Sequence, residues 1–215
     1  MKYIITIVAV LILGYFVWGA IQTKPEANIP QAIVSEPTTP PVLDTNQPTP
    51  TQINPTQGTA LQIDNTQVKV AFKGFGPGKV HDGSFSKIDS KLAFDTKGKL
   101  GGSVSIDMNS IQTDNDKLTT HLKSKDFFDT AVYPTATFVP KEFSGTQVKG
   151  DLTIKGSTKS ITIPMVYKKT TPAPNVRLAY PAAYTADFTI DLKEFGIDQK
   201  FANSVVQIIL TVPVK

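Results

Sequence analysis

The 215-residue chain has no cysteine, two histidines and one tryptophan. Without cysteine there is no disulfide framework, no thiolate zinc site and no cysteine nucleophile. An oxidising compartment is compatible with this composition but not required by it. Any Ser-His-Asp triad would have to use His81 or His121, and the chain contains neither GxSxG nor HExxH. No serine is therefore marked as sitting on a strained, exposed turn. Blocks of like charge are also missing: 22 basic and 18 acidic residues, net +4, are spread singly. A mild excess of this kind favours contact with an anionic membrane surface and is weak support for nucleic-acid binding, so no nucleic-acid partner is expected. The chain has no internal repeat and no N-x-[ST] sequon.

What is present divides the chain into three zones. The first, residues 1–21, holds a charge-free run, IITIVAVLILGYFVWGAI, from Ile4 to Ile21. As a helix its length is about 27 Å, close to the roughly 30 Å hydrocarbon core of a bilayer. Lys2 precedes it, and Tyr15, Phe16 and Trp18 cluster at its far end, where aromatic rings favour the interface. The expectation is an N-terminal transmembrane anchor. The alternative is a signal peptide, for which Val17-Trp18-Gly19-Ala20 is a poor small-x-small cleavage site. No cysteine follows the run, so a lipoprotein anchor is excluded. Either reading exports the remainder: single-pass in the cell membrane with the domain on the extracytoplasmic (periplasmic or extracellular) side, or secreted if the segment is cleaved.

The second zone, 22–59, contains eight of the sixteen prolines, from Pro25 to Pro55, amid Thr, Gln and Asn. Proline removes amide donors and favours extended polyproline II, and little apolar surface is available to bury. The expectation is a disordered linker. If fully extended it would reach on the order of 100 Å, either as a spacer lifting the domain off the membrane or as a linker with no further role.

The third zone, 60–215, carries 20 basic and 15 acidic residues and reads as the folded domain. Period-two alternation dominates it. Val68, Val70 and Phe72 share a face, as do Leu92 and Phe94, then Val104, Ile106 and Met108. Val148, Leu152 and Ile154 face Ile161, Ile163, Met165 and Tyr167 across a turn at Lys155-Gly156-Ser157, the clearest hairpin in the chain. Phe188, Ile190 and Leu192 follow, then a last strand VVQIILTVPV. The exception is Thr113–Phe128, where Thr113 and Asp116 resemble a capping box and Leu118, His121 and Leu122 recur at helical spacing. The domain is therefore all-β and antiparallel, with a short helix inserted near the middle. Seven or eight strands suggest an up-and-down barrel or a sandwich, and about eight close a barrel just wide enough for one ligand.

Chemistry is poorly supplied. GFGPG, Gly74–Gly78, lacks the spacing of a phosphate loop and no helix pattern follows it, so it reads as a flexible strand connection at a barrel mouth. His81 and His121 could share a metal with Asp82 or Asp126, but without ligand-like spacing structural roles are the simpler account. Asp126 and Asp129 could form an acid/base pair. They flank Phe127-Phe128, where aspartates more often cap backbone amides of a turn. His121 is read as a hydrogen-bonding partner of that turn, and Phe127 and Phe128 as a plug or lid. Apolar and aromatic surface is plentiful, and a barrel can use it for a core or for a cavity wall.

The segments GGSVSIDMNSIQTDNDKLTTHLKSKDFFDTAVYPTATF and VKGDLTIKGSTKSITIPM resemble the YceI-like family closely. An HDGSF segment lies upstream and TIDLKEFGID downstream, in the family's order, so the resemblance covers essentially the whole domain. It implies a lipocalin-like antiparallel β-barrel, a hydrophobic lumen for a polyisoprenoid or related amphiphile, export, and neither a catalytic residue nor a cofactor. Leu192 stands where the family often has an arginine ahead of FGI, so a polar head-group contact of that kind is not carried over. The anchor and linker are additions to the usual soluble form and point to tethering at a surface.

Lumen-wall positions are expected among Phe72, Phe85, Phe94, Ile106, Met108, Phe127, Phe128, Phe138, Leu152, Ile154, Ile163, Met165 and Phe188. Alternation places them on shared faces without separating ligand contact from core. The leading expectation is a membrane-tethered carrier of an isoprenoid-type or quinone-like lipid, not an enzyme. An adhesion or scaffold module with a self-filled barrel is the alternative, and an enzyme using His81 or His121 the third reading. Oligomeric state is left open, a homodimer included.

Overall fold

The computed structural model of the chain describes residues 23–36, 61–169, 181–198 and 203–215. The expected anchor and residues 37–60 lie outside the described residues. Among the described residues no helix is long and apolar enough to cross a membrane.

The strands fall into two six-stranded antiparallel sheets and one two-stranded hairpin. Three strands pass from one sheet to the other, and they turn the two sheets into one barrel. β3 (Lys79–Phe85) continues through Ser86-Lys87 into β4 (Ile88–Ser90). β7 (Val104–Asp107) continues through the 3-10 turn Met108–Ser110 into β8 (Ile111–Thr113). β11 (Ser157–Pro164) continues through Met165 into β12 (Val166–Lys169). Pro164 supplies no N–H, and a strand can change partners at such a break.

With β2 (Lys69–Gly76), β9 (Thr135–Phe143), β10 (Gln147–Ile154), β13 (Ala182–Asp191) and β14 (Val205–Val214), these make eight staves. Their order around the barrel is β2, β3/β4, β7/β8, β9, β10, β11/β12, β13, β14 and back to β2. The ring is closed, the arrangement that removes exposed sheet edges. A short hairpin of β5 (Ala93–Phe94) and β6 (Leu100–Gly101) lies at the end where β4 meets β7. Lys155 and Gly156, both at positive φ (49° and 75°), make the two-residue turn between β10 and β11, the geometry that a right-twisted hairpin favours.

Alternation places one face of each stave inward, and the inward residues form one apolar cluster. Two glycines on that face make room for rings. A Cβ on Gly83 would stand 2.1 Å from the Phe72 ring, which lies across it from the paired strand. A Cβ on Gly150 would stand 2.7 Å from the Phe138 ring and 2.4 Å from the Val139 carbonyl oxygen. Gly150 also marks a bulge: Lys149 faces Glu142 but Gly150 faces Pro140, leaving Lys141 as the extra residue. Proline and glycine are the residues expected where a ladder is interrupted in this way.

The single α-helix among the described residues is α1 (Asp116–Lys123). Its cap is not the expected Thr113. Asn115 accepts from the Leu118 N–H at 3.0 Å, while Thr113 ends β8 and its hydroxyl donates to the Asn115 carbonyl. The amide two residues closer to the apolar stripe wins because it sits at the true N-cap position. The helix also stops at Lys123; Ser124–Phe128 turn back on it through Phe127 N–H to Ser124 O and Phe128 N–H to Leu122 O.

The expectation of one continuous disordered linker over 22–59 is corrected for residues 23–36. β1 (Ile33–Ser35) pairs antiparallel with β11, Val34 opposite Ile161. On its other side the same segment bonds the free edge of β13: the Thr189 N–H donates to Pro30 O and the Ala32 N–H to Thr189 O. It therefore fills the wedge opened where β11 bends away from β13. Ala32 is buried, Val34 packs on the core, and Glu36 pairs with Lys159. Burial of Ala32 and Val34 plus satisfied edge groups outweighs the extended bias of the flanking prolines.

Candidate functional site: an apolar lumen

The barrel encloses a cavity of about 260 Å³. All thirteen residues expected on the wall lie on it: Phe72, Phe85, Phe94, Ile106, Met108, Phe127, Phe128, Phe138, Leu152, Ile154, Ile163, Met165 and Phe188. Sequence reasoning missed the β14 wall, formed by Val206, Ile208, Leu210 and Val212. Their period-two signal was masked because neighbours such as Val205 and Ile209 are apolar too. It also missed Leu192, which is buried and adds an aliphatic side chain to the wall.

The wall is almost wholly carbon. A buried water needs two to four polar partners, and the middle of this lumen offers none from side chains. Phe72 and Phe85 meet there at 5.6 Å between centroids. Polar groups occur only towards the two ends.

At one end, beside the β5–β6 hairpin, aromatic rings close the lumen. Phe143 contacts Phe94 and Tyr184, each at 5.4 Å between centroids, and Tyr167 packs tilted against Tyr184 from outside at 5.1 Å. Burial, and the neighbouring Tyr167 after it, push the Tyr184 phenol above its ordinary value.

At the other end stand the tip of the β2–β3 hairpin, α1 and Asn203. Here the lining includes His81, Asn203 and the backbones of Gly74 and Gly76. GFGPG is the hairpin tip, with Gly78 at φ 67°, and a Cβ on Gly74 would meet nothing within 4 Å. His81 Nδ1 lies 2.7 Å from Asp114 Oδ1, and Lys79 Nζ 3.2 Å from Asp114 Oδ2. The His81 hydrogen bond, supported by Lys79, holds the Asp114 carboxyl below its ordinary value despite some desolvation. Leu118, Leu122, Phe127 and Phe128 bring α1 and its following turn onto the lumen. Phe127 and Phe128 meet edge to face at 4.6 Å.

His121 is corrected. Its ring stands edge-on to Phe127 at 6.0 Å, and it is its backbone carbonyl that accepts from the Ser124 N–H and hydroxyl. Asp129 shapes the turn through its backbone: φ is 48° and its carbonyl accepts from Val132 and Tyr133 N–H. Among the described residues no group of three or more His, Asp or Glu is gathered to hold a metal.

An eight-staved antiparallel ring around an apolar lumen, capped by one helix, places the molecule in the class of lipocalin-like barrels. Within that class the chain belongs to the YceI-like domain family, whose model matches residues 61–214. The UPF0312 protein YE1254 of Yersinia enterocolitica is 35% identical over 138 residues, covering 60% of this chain and 71% of that one. A UPF0312 protein of Yersinia pestis matches to the same extent. BcnA of Burkholderia cenocepacia shares the fold at a TM-score of 0.58 and 23% identity, over 71% of this chain and 99% of its own. A domain from Saccharophagus degradans described as polyisoprenoid-binding and implicated in plant cell wall breakdown follows at 0.54 and 15%, over 73% and 98%. β1 lies outside the matched range.

Proposed function

We propose that this chain binds a long apolar chain of the polyisoprenoid or quinone-like class in its lumen, with no chemical step. The observation that carries the reading is a cavity of about 260 Å³ whose polar lining is confined to its ends. Left empty, such a space would forgo about 6 kcal/mol on a scale of roughly 24 cal/mol per Å³ of unfilled core. An apolar chain in water costs roughly 25 cal/mol per Å² exposed, so filling the lumen relieves both penalties at once. The polyisoprenoid-binding description of the Saccharophagus relative is consistent with this occupant.

The apolar run Ile4–Ile21 supports a single-pass anchor with the barrel on the extracytoplasmic side. Mass spectrometry of lipid extracts from the purified full-length chain tests the reading. A prenyl-type lipid at near-stoichiometric amount is expected. Absence of lipid, with no uptake of prenyl alcohols or quinones, would leave the self-filled scaffold module in its place.

A further inference from the structure

The barrel is docked onto the residues that immediately follow the apolar run. Thr23 donates its N–H to Gly76 O at 3.3 Å, and its hydroxyl lies 2.9 Å from Gly76 O and 3.1 Å from Lys79 O. Gly76 and Lys79 flank the tip of the β2–β3 hairpin, at the end of the lumen lined by His81 and Asn203. Only Gln22 separates Thr23 from Ile21. Two residues of extended chain reach at most about 7 Å. If Ile4–Ile21 spans the bilayer, this end of the barrel lies within the interfacial layer, roughly 5–7 Å deep on each side.

The downstream segment reinforces the attachment, since Pro30 to Ser35 is fixed to β13 and β11. Exposed apolar side chains occur at both ends: Val80, Val132 and Tyr133 at this one, and Val166 and Tyr167 at the other. Tyrosine suits the headgroup boundary.

We infer that the β2–β3 hairpin end of the lumen is held against the bilayer surface, so that an apolar chain passes between membrane and lumen without crossing bulk water. This rests on the reading of Ile4–Ile21 as a membrane span and of the lumen as a lipid site. It replaces the picture of a barrel on a spacer of some 100 Å.

The absence of cysteine makes the test direct, because any introduced cysteine carries a unique label. Full-length Lys79→Cys and Lys97→Cys variants, labelled with a fluorophore, are reconstituted into phosphatidylcholine–phosphatidylglycerol vesicles containing a nitroxide-headgroup lipid. Lys97 lies on the β5–β6 hairpin at the opposite end. Quenching several-fold stronger at position 79 than at 97 is expected. Inserting twenty Gly/Ser residues between Ile21 and Gln22, about 25 Å of r.m.s. reach, should reduce the quenching at 79 to the level at 97.

Equal or reversed quenching, or quenching at 79 unchanged by the insertion, would overturn the inference. Two controls separate its premises. Release of the protein from vesicles by alkaline wash would sink the membrane span. Lipid content of the detergent-purified protein reports on the lumen independently of either.

Discussion

The two ends of the lumen are built from different forces. At the β5–β6 end, Phe94, Phe143, Tyr184 and Tyr167 pack ring against ring with no hydrogen bond between their side chains. At the β2–β3 end, α1 and the Phe127–Phe128 pair share the wall with glycine backbone, His81 and Asn203, and directional fixed points are added: Asp114 to His81 and Lys79, and Thr23 to the hairpin carbonyls. Ring packing is stabilising, water-excluding and indifferent to salt. Hydrogen bonds and half-exposed ion pairs are individually modest and exchange readily with water. One end thus serves as a floor and the other as a doorway. On the proposed lipid-binding reading, stability and ligand traffic fall to opposite ends of one cavity.

Substitutions test this division, and the largest effect is expected at the floor. Phe143→Ala removes two ring contacts and leaves a void, costing about 2–4 kcal/mol, read as a lowered urea midpoint at unchanged slope. The same variant should release an apolar fluorescent probe faster, since it opens a second exit. Unchanged release kinetics would break the contrast between the ends.

Next in size, Gly83→Ala drives a methyl group into the Phe72 ring and should cost about 1–3 kcal/mol with reduced lumen capacity. Differential scanning calorimetry and probe titration would read the two parts.

The two ends should also weaken at opposite extremes of pH. Asp114 has its pKa lowered from 3.8, so its contribution is present above that value and is lost as pH falls through the folded value. Asp114→Asn should remove that acid sensitivity. Tyr184 has its pKa raised from 10.0, so its contribution is present below 10.0 and is lost as pH rises towards the folded value. Phenolate absorbance should show one late-titrating tyrosine that disappears in Tyr184→Phe. The smallest effect is expected from Gly74→Ala, whose methyl group meets nothing within 4 Å; a change within about 0.5 kcal/mol is anticipated.

The barrel wall was legible in the sequence because period two leaves an unambiguous inward face wherever polar residues fill the outward one, as in Val104–Asp107 and Gln147–Ile154. β14 was less so, since its outward Val205 and Ile209 are apolar too. The pairings that fix the doorway were not legible: His81 and Asp114 stand 33 positions apart, and no local pattern joins them. Gly83 and Gly150 carry no local signal of their roles, because the rings they accommodate come from other strands. β1 was hidden by its neighbours. Three strand-forming residues between Pro30 and Pro37 resemble the linker composition until β11 and β13 offer an open wedge.

That wedge bears on the order of assembly. Ser35 meets Ser160 across 125 positions, and Pro30 meets Thr189 further on still. A chain emerging from its N-terminus presents β1 long before either partner has been synthesised. The seam cannot zip until nearly the whole barrel sequence is available, and long-range pairing of this kind carries a loop-closure penalty and a slow rate. A truncation ahead of Ser160 should therefore leave Ile33 and Val34 as an unpaired strand, available to protease and to chaperone, while in the full chain its backbone is paired with β11.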